Sequence, residues 1–106
     1  MKNIILASAV LVSSFGVYAG DYCETISTMA ELTMTARQMG LPASETYKTF
    51  EDTSEAVRRL FLEMIKEAHA RPAWNSDGAQ RKEISEFSSE WFLVCLDALV
   101  NEVRHD

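Results

Sequence analysis

Apolar side chains recur at helical spacing in this chain, and no segment alternates apolar and polar residues over a convincing length. Four glycines and two prolines in 106 residues also disfavour a turn-rich β-fold. The i, i+3, i+4 pattern is most regular between Ser54 and Pro72, at Val57, Leu60, Phe61, Met64, Ile65 and Ala68. The spacing therefore predicts an all-α protein.

The first 19 residues have the features of a secretory signal peptide. Lys2 precedes the apolar run Ile4–Val12, which is too short to span a bilayer as a stable helix. Small or modest side chains follow, so we expect cleavage between Ala19 and Gly20 and release of a soluble protein into the periplasm or the medium. An uncleaved N-terminal anchor is the alternative. No second apolar run follows, so no stable membrane insertion is predicted after cleavage.

Residues 20–106 are predicted to form a single helical domain. Removing 1–19 leaves 87 residues and takes away one charge, that of Lys2, so the formal net charge changes from −6 to −7. A domain this acidic lacks the basic surface that nucleic acids and anionic membranes require. It would attract a basic protein partner, although the negative charge could equally serve only solubility.

Two cysteines remain after the predicted cleavage, Cys23 and Cys95. Exported proteins reach an oxidising compartment, so an intramolecular disulfide between them is expected. It would close a loop of about 70 residues and stabilise the fold by roughly 4 kcal/mol in the chain-entropy model. An intermolecular disulfide is the alternative. No Cys-x-x-Cys motif suggests redox activity, and a metal site lacks its other ligands.

Local signals predict three long helices and one short helix in a disulfide-linked bundle. The first helix is expected at 21–39, because Gly40 suits the C′ position and Pro42 follows. The short helix is expected at 43–52, with Tyr47 and Phe50 inward. The N-cap candidates of the last two helices are Thr53 or Ser54 and Ser76 or Asp77. The outward face of the first helix is predicted to carry Glu24, Ser27, Glu31, Thr35 and Gln38. The inner face of the last helix is predicted to carry Ile84, Phe87, Trp91, Val94, Cys95, Ala98 and Leu99.

Five residues are candidate partner contacts. Leu93, Leu96 and Val100 form a second apolar stripe on the last helix, which another segment, a homodimer partner or a target protein could cover. Trp74 lies in the loop after Pro72 and is either a lid on the bundle or a binding anchor. Arg37 falls inside the apolar arc of the first helix, where it either extends past the core edge or makes a buried ion pair or ligand contact.

The sequence offers few groups for catalysis. His69 lies at the edge of an apolar stripe, which suits a boundary residue better than an acid–base group, and His105 is next to the C-terminus. No nucleophile elbow, metal-ligand spacing or glycine-rich phosphate loop occurs. We therefore expect a non-catalytic protein without a cofactor or metal.

The chain combines Cys23, Arg37-Gln38-Met39-Gly40, Ala68-x-x-x-Pro72 and an aromatic-rich last helix carrying Cys95. In these elements it resembles small exported two-cysteine helical proteins of Gram-negative bacteria and their phages. The resemblance implies the fold and the compartment, but no activity.

These features favour a periplasmic binding or inhibitory module, similar to lysozyme inhibitors or to immunity proteins against cell-wall-directed toxins. Targets of that kind are often basic, and opposite charge speeds their encounter. The alternative is a periplasmic stress protein, such as an acid-activated chaperone working as a dimer, for which the 16 acidic residues would provide the titration. An enzyme acting on cell-wall peptide or glycan is a third hypothesis, supported only by location and acidity.

Overall fold

The computed structural model describes the backbone of residues 2–105 and the side chains of residues 20–100. No strand occurs within 2–105, so the predicted all-α bundle is confirmed. The helices are α1 (Lys2–Gln38), α2 (Ala43–Lys48), α3 (Glu55–His69) and α4 (Asp77–His105). Residues 1–19, the predicted signal peptide, lie outside the described side chains.

The first helix extends further towards the N-terminus than predicted. In the full chain α1 begins at Lys2, so the expected start at Asp21 is wrong. Gly20 is the breaker nearest to that expected start, and one glycine inside a helix costs only about 1 kcal/mol, which does not end it.

The end of α1 follows the prediction closely. Gly40 has a φ of 83°, a conformation that glycine adopts without steric cost. Its N–H donates to the carbonyl of Arg37, and the N–H of Leu41 donates to the carbonyl of Ala36, each at 3.0 Å. These two bonds form a Schellman motif, which satisfies carbonyls that the helix itself leaves without a donor.

Serine caps begin α3 and α4, as two of the candidates predicted. The Ser54 hydroxyl accepts from the Val57 N–H at 3.4 Å, and the Ser76 hydroxyl accepts from the Ala79 N–H at 3.3 Å. Each bond satisfies one N–H of a first helical turn.

The short helix α2 ends at Lys48, earlier than the predicted residue 52. The chain tightens there into turns, and the Thr53 hydroxyl donates to the Phe50 carbonyl at 2.6 Å. These turns bring the Phe50 ring onto Phe61, with centroids 3.7 Å apart and planes 5° apart. Phe50 is buried as predicted, whereas Tyr47 is only half-buried.

The core lies where α1, α3 and α4 meet. α1 packs along α4 and against α3, and α2 packs on α3, but α3 and α4 share little direct contact. Burying these apolar side chains is the main favourable contribution to folding. The core cluster comprises Ile26, Ala30, Met34, Phe50, Phe61, Met64, Ala68 and Phe87.

Some side chains face differently from the predictions. Gln38 and Ser27 were expected to point outward, but Gln38 is buried and Ser27 bonds to Ser88 of α4 at 2.7 Å. Val94 and Ala98 were expected to point inward, but both are exposed, because α3 does not cover this part of α4. Within the part of the chain that is described, no helix has both the length and the apolar character needed to cross a membrane.

Candidate functional site

The predicted disulfide is present and ties α1 to α4. Cys23 and Cys95 are joined, their Cα atoms lie 5.6 Å apart, and the Cys23 side chain is fully buried. An intramolecular bridge replaces the alternative of an intermolecular one, and both cysteines are used in it. The bridge therefore fixes the two longest helices against each other, next to the apolar groove described below.

An apolar groove of about 360 Å³ lies beside the disulfide. It exists because α3 and α4 both pack on α1 but make little contact with each other. Its walls include Leu60 of α3 and Val94 of α4, and 63% of the Val94 side chain is exposed. The residues that define this apolar groove are Tyr22, Ile26, Leu60, Trp91, Val94, Cys95, Ala98 and Leu99.

The groove continues into a depression of about 310 Å³ that we call the acidic end. Trp91 and Val94 line both parts, while Glu67 of α3 and Glu90 of α4 line the acidic end. The ring of Trp91 is positioned by an edge-on contact with the Phe87 ring, and the two ring centroids lie 6.3 Å apart. Apolar wall and carboxylates are thus adjacent on one surface.

Arg71 binds Glu90, one of the two carboxylates that line the acidic end. It forms ion pairs with Glu83 at 3.3 Å and with Glu90, and its guanidinium lies over the Phe87 ring, 4.9 Å from the centroid. Burial alone would lower the pKa of Arg71, but hydrogen bonds to and charges on Glu90 and Glu83 outweigh it, so the pKa is raised. Within residues 20–100, Glu67 has no such ion pair.

Arg37 and Gln38 at the end of α1 hold the loop between α3 and α4. Arg37 donates through Nε and Nη2 to the Arg71 carbonyl at 3.2 and 3.0 Å. The Gln38 amide donates to the Pro72 carbonyl at 2.9 Å and accepts from the Trp74 backbone N–H at 2.8 Å. Within residues 20–100, Arg37 is therefore a half-buried structural group bound to the backbone, rather than part of an ion pair.

Trp74 is fixed over the start of α4. Its indole N–H donates to Oε1 of Glu83 at 3.0 Å, and its carbonyl accepts from the Gln80 amide at 2.7 Å. The side chain remains 43% exposed. The bonds favour the lid interpretation, and a partner contact at Trp74 stays a prediction.

Most of the second apolar stripe of α4 is exposed, so the described part of the chain leaves it largely uncovered. Leu93 is 61% and Val100 52% exposed, whereas Leu96 is half-buried. Leu93 and Val94 are neighbours in sequence, so they project about 100° apart around the helix axis. The stripe and the groove are therefore different surfaces of α4, and neither includes Arg37 or Trp74.

The histidine expected at a boundary is half-buried at the end of α3. Burial and, to a smaller extent, the charge of Arg37 lower the pKa of His69. Within the described residues, no group of three or more His, Cys, Asp and Glu side chains is arranged to hold a metal ion. His69 does not line the groove or its acidic end.

Sequence reasoning missed Gln38 and the apolar groove. A glutamine at the last position of α1 gives little sign of being buried. The groove depends on the gap between α3 and α4, which a helical period does not reveal. No protein-family model, curated protein or solved structure matches this chain.

Proposed function

We propose that this protein is an exported, non-catalytic binding module that inhibits or neutralises a protein target in the periplasm. The observation that carries the proposal is the apolar groove, which leaves Val94 63% exposed in a domain small enough to need its apolar surface for its own core. A contiguous apolar surface with a polar rim is typical of protein-interaction sites.

The chemistry around the groove supports binding rather than catalysis. The groove is lined by apolar side chains, and the group beside it with a shifted pKa, Arg71, is engaged in ion pairs with Glu83 and Glu90. The Cys23–Cys95 bridge suits the oxidising compartment that the N-terminal sequence predicts. Cleavage between Ala19 and Gly20 is part of the proposal.

Expression of the full chain in a Gram-negative host tests the predicted export and the binding of a partner together. The periplasmic fraction should contain a product whose intact mass lacks residues 1–19. After crosslinking in that fraction, one protein should copurify in stoichiometric amount. Cytoplasmic retention of the full-length product, or repeated recovery without any partner, would contradict the proposal.

Acid treatment separates this proposal from the stress-protein alternative. A binding module should keep its oligomeric mass and should not bind an apolar dye more strongly at about pH 3 than at neutral pH. A dimer that dissociates in acid and then exposes apolar surface would favour the chaperone hypothesis instead.

A further inference from the structure

The acidic end gives the apolar groove a preference for one kind of occupant. Two carboxylates, those of Glu67 and Glu90, line the acidic end, and the Arg71 guanidinium that pairs with Glu90 is shared with Glu83. Among residues 20–100, no lysine or arginine lines the groove or its acidic end. The surface next to Trp91 and Val94 is therefore negatively charged.

This charge distinguishes between the occupants that an apolar groove could accept. A second copy of the cleaved chain would bring the same net charge of −7, and like charges oppose its approach. An uncharged apolar segment would take the Glu67 carboxylate out of water without supplying a partner, which is costly. A segment with a cation satisfies the carboxylate while it covers the apolar wall.

Helix geometry sets the spacing that such a segment needs. Leu60 and Glu67 are seven residues apart on α3, which corresponds to about 10 Å along the axis. Glu90 and Val94 are four residues apart on α4, or about 6 Å. An occupant should therefore carry its cation one to two helical turns from its apolar anchor.

We propose that the groove and its acidic end form one docking site for a basic segment of a protein, which places a large apolar side chain between Leu60 and Val94 and a lysine or arginine against Glu67 and Glu90. This inference rests on the proposed binding function and adds the chemistry of the partner. It also assigns recognition to the groove rather than to the stripe that contains Leu93.

The chain offers matched control positions for the apolar groove and for its acidic end. Val94→Asp changes the apolar wall, and Leu93→Asp makes the same change at a neighbour of similar exposure, 61% against 63%, that lies outside the groove. Glu67→Lys reverses a charge at the acidic end, and Glu86→Lys does so elsewhere, on a side chain 55% exposed that faces Lys82. Because all four positions are on the surface, circular dichroism should show the same fold for every variant.

A random peptide library displayed on phage is the probe, selected against protein purified from expression of the full chain. Enriched peptides should be basic and should combine a large apolar residue with a lysine or arginine four to seven positions away. Val94→Asp and Glu67→Lys should each weaken binding of a selected peptide at least tenfold, whereas Leu93→Asp and Glu86→Lys should leave it within twofold. Added salt should weaken binding by the wild type.

Other outcomes would overturn the inference. Absence of enrichment, enrichment of acidic peptides, or equal effects of Val94→Asp and Leu93→Asp would each do so, as would a homodimer in solution that Val94→Asp dissociates. If a stoichiometric protein partner is nevertheless captured and is lost with Leu93→Asp alone, the proposed function stands and only the docking site is wrong. If no partner is captured although basic peptides bind as expected, the proposed function is wrong and the site stands.

Discussion

Reduction of the Cys23–Cys95 disulfide should remove a large part of the stability of this fold. The two cysteines are separated by 72 positions, and closing a loop of that length stabilises a fold by about 4 kcal/mol in the chain-entropy model. A domain of this size has a total free energy of unfolding of about 4–13 kcal/mol. The reduced protein is therefore expected to be marginally stable.

Urea unfolding followed by circular dichroism measures this contribution. With a denaturant slope of about 1–2 kcal/mol per molar urea, reduction should lower the midpoint by about 2–4 M. The variant Cys23→Ala/Cys95→Ala should unfold near the midpoint of the reduced protein, and adding reductant should not change it. That comparison separates loss of the bridge from any other effect of the reductant.

A midpoint that falls by less than about 0.5 M would refute this reasoning. It would mean that the reduced, unfolded chain is already constrained, because α1 and α4 remain associated in it through their apolar faces. The estimated stabilisation by the disulfide depends on loop length and not on contacts. A small shift of the urea midpoint could therefore not be attributed to weak packing around Cys23.

Three further predictions test the core, the loop and the histidine. Phe87→Ala should lower the free energy of unfolding by about 3–5 kcal/mol, because the ring is fully buried, whereas Leu62→Ala, at a side chain 42% exposed, should cost well under half of that in the same urea titration. Gln38→Leu should cost about 1–3 kcal/mol, because it leaves the Trp74 N–H without its acceptor, and hydrogen exchange at that amide should accelerate. The pKa of His69 is lower in the fold than in the unfolded chain, so the unfolded chain takes up the proton more readily. The free energy of unfolding present above about pH 6.5 should therefore decline as the pH falls. His69→Gln should flatten this decline in unfolding curves measured across that range.

Features set by local chemistry could be predicted from the sequence. The Gly40 stop and the Ser54 and Ser76 caps each depend on a few neighbouring residues, and each forms the hydrogen bonds that its residue type predicts. The disulfide was also predictable, because two cysteines in a chain that the N-terminal sequence predicts to be exported allow one intramolecular pairing.

Features set by the relative positions of helices could not be predicted in this way. The inner-face pattern assigned Val94 to the core because it lies two turns from Phe87 and one turn from Ala98, but a residue on that face is covered only if another helix reaches it. Here α3 packs on α1 and leaves that part of α4 open. Gln38 shows the converse, since the loop after α3 returns to cover a polar residue of α1.

The disulfide and the groove are connected through the way in which the helices share the core. Cys95 lies in the wall of the groove, and its bond to Cys23 holds α4 against α1 without help from α3. Since α1 packs against both α3 and α4, the core cluster forms without close contact between those two helices. The apolar residues at their gap, Leu60 and Val94, can therefore stay uncovered without loss of the core. The cross-link offsets the cost of leaving this apolar surface exposed, because a domain of this size otherwise needs most of that surface for its own stability.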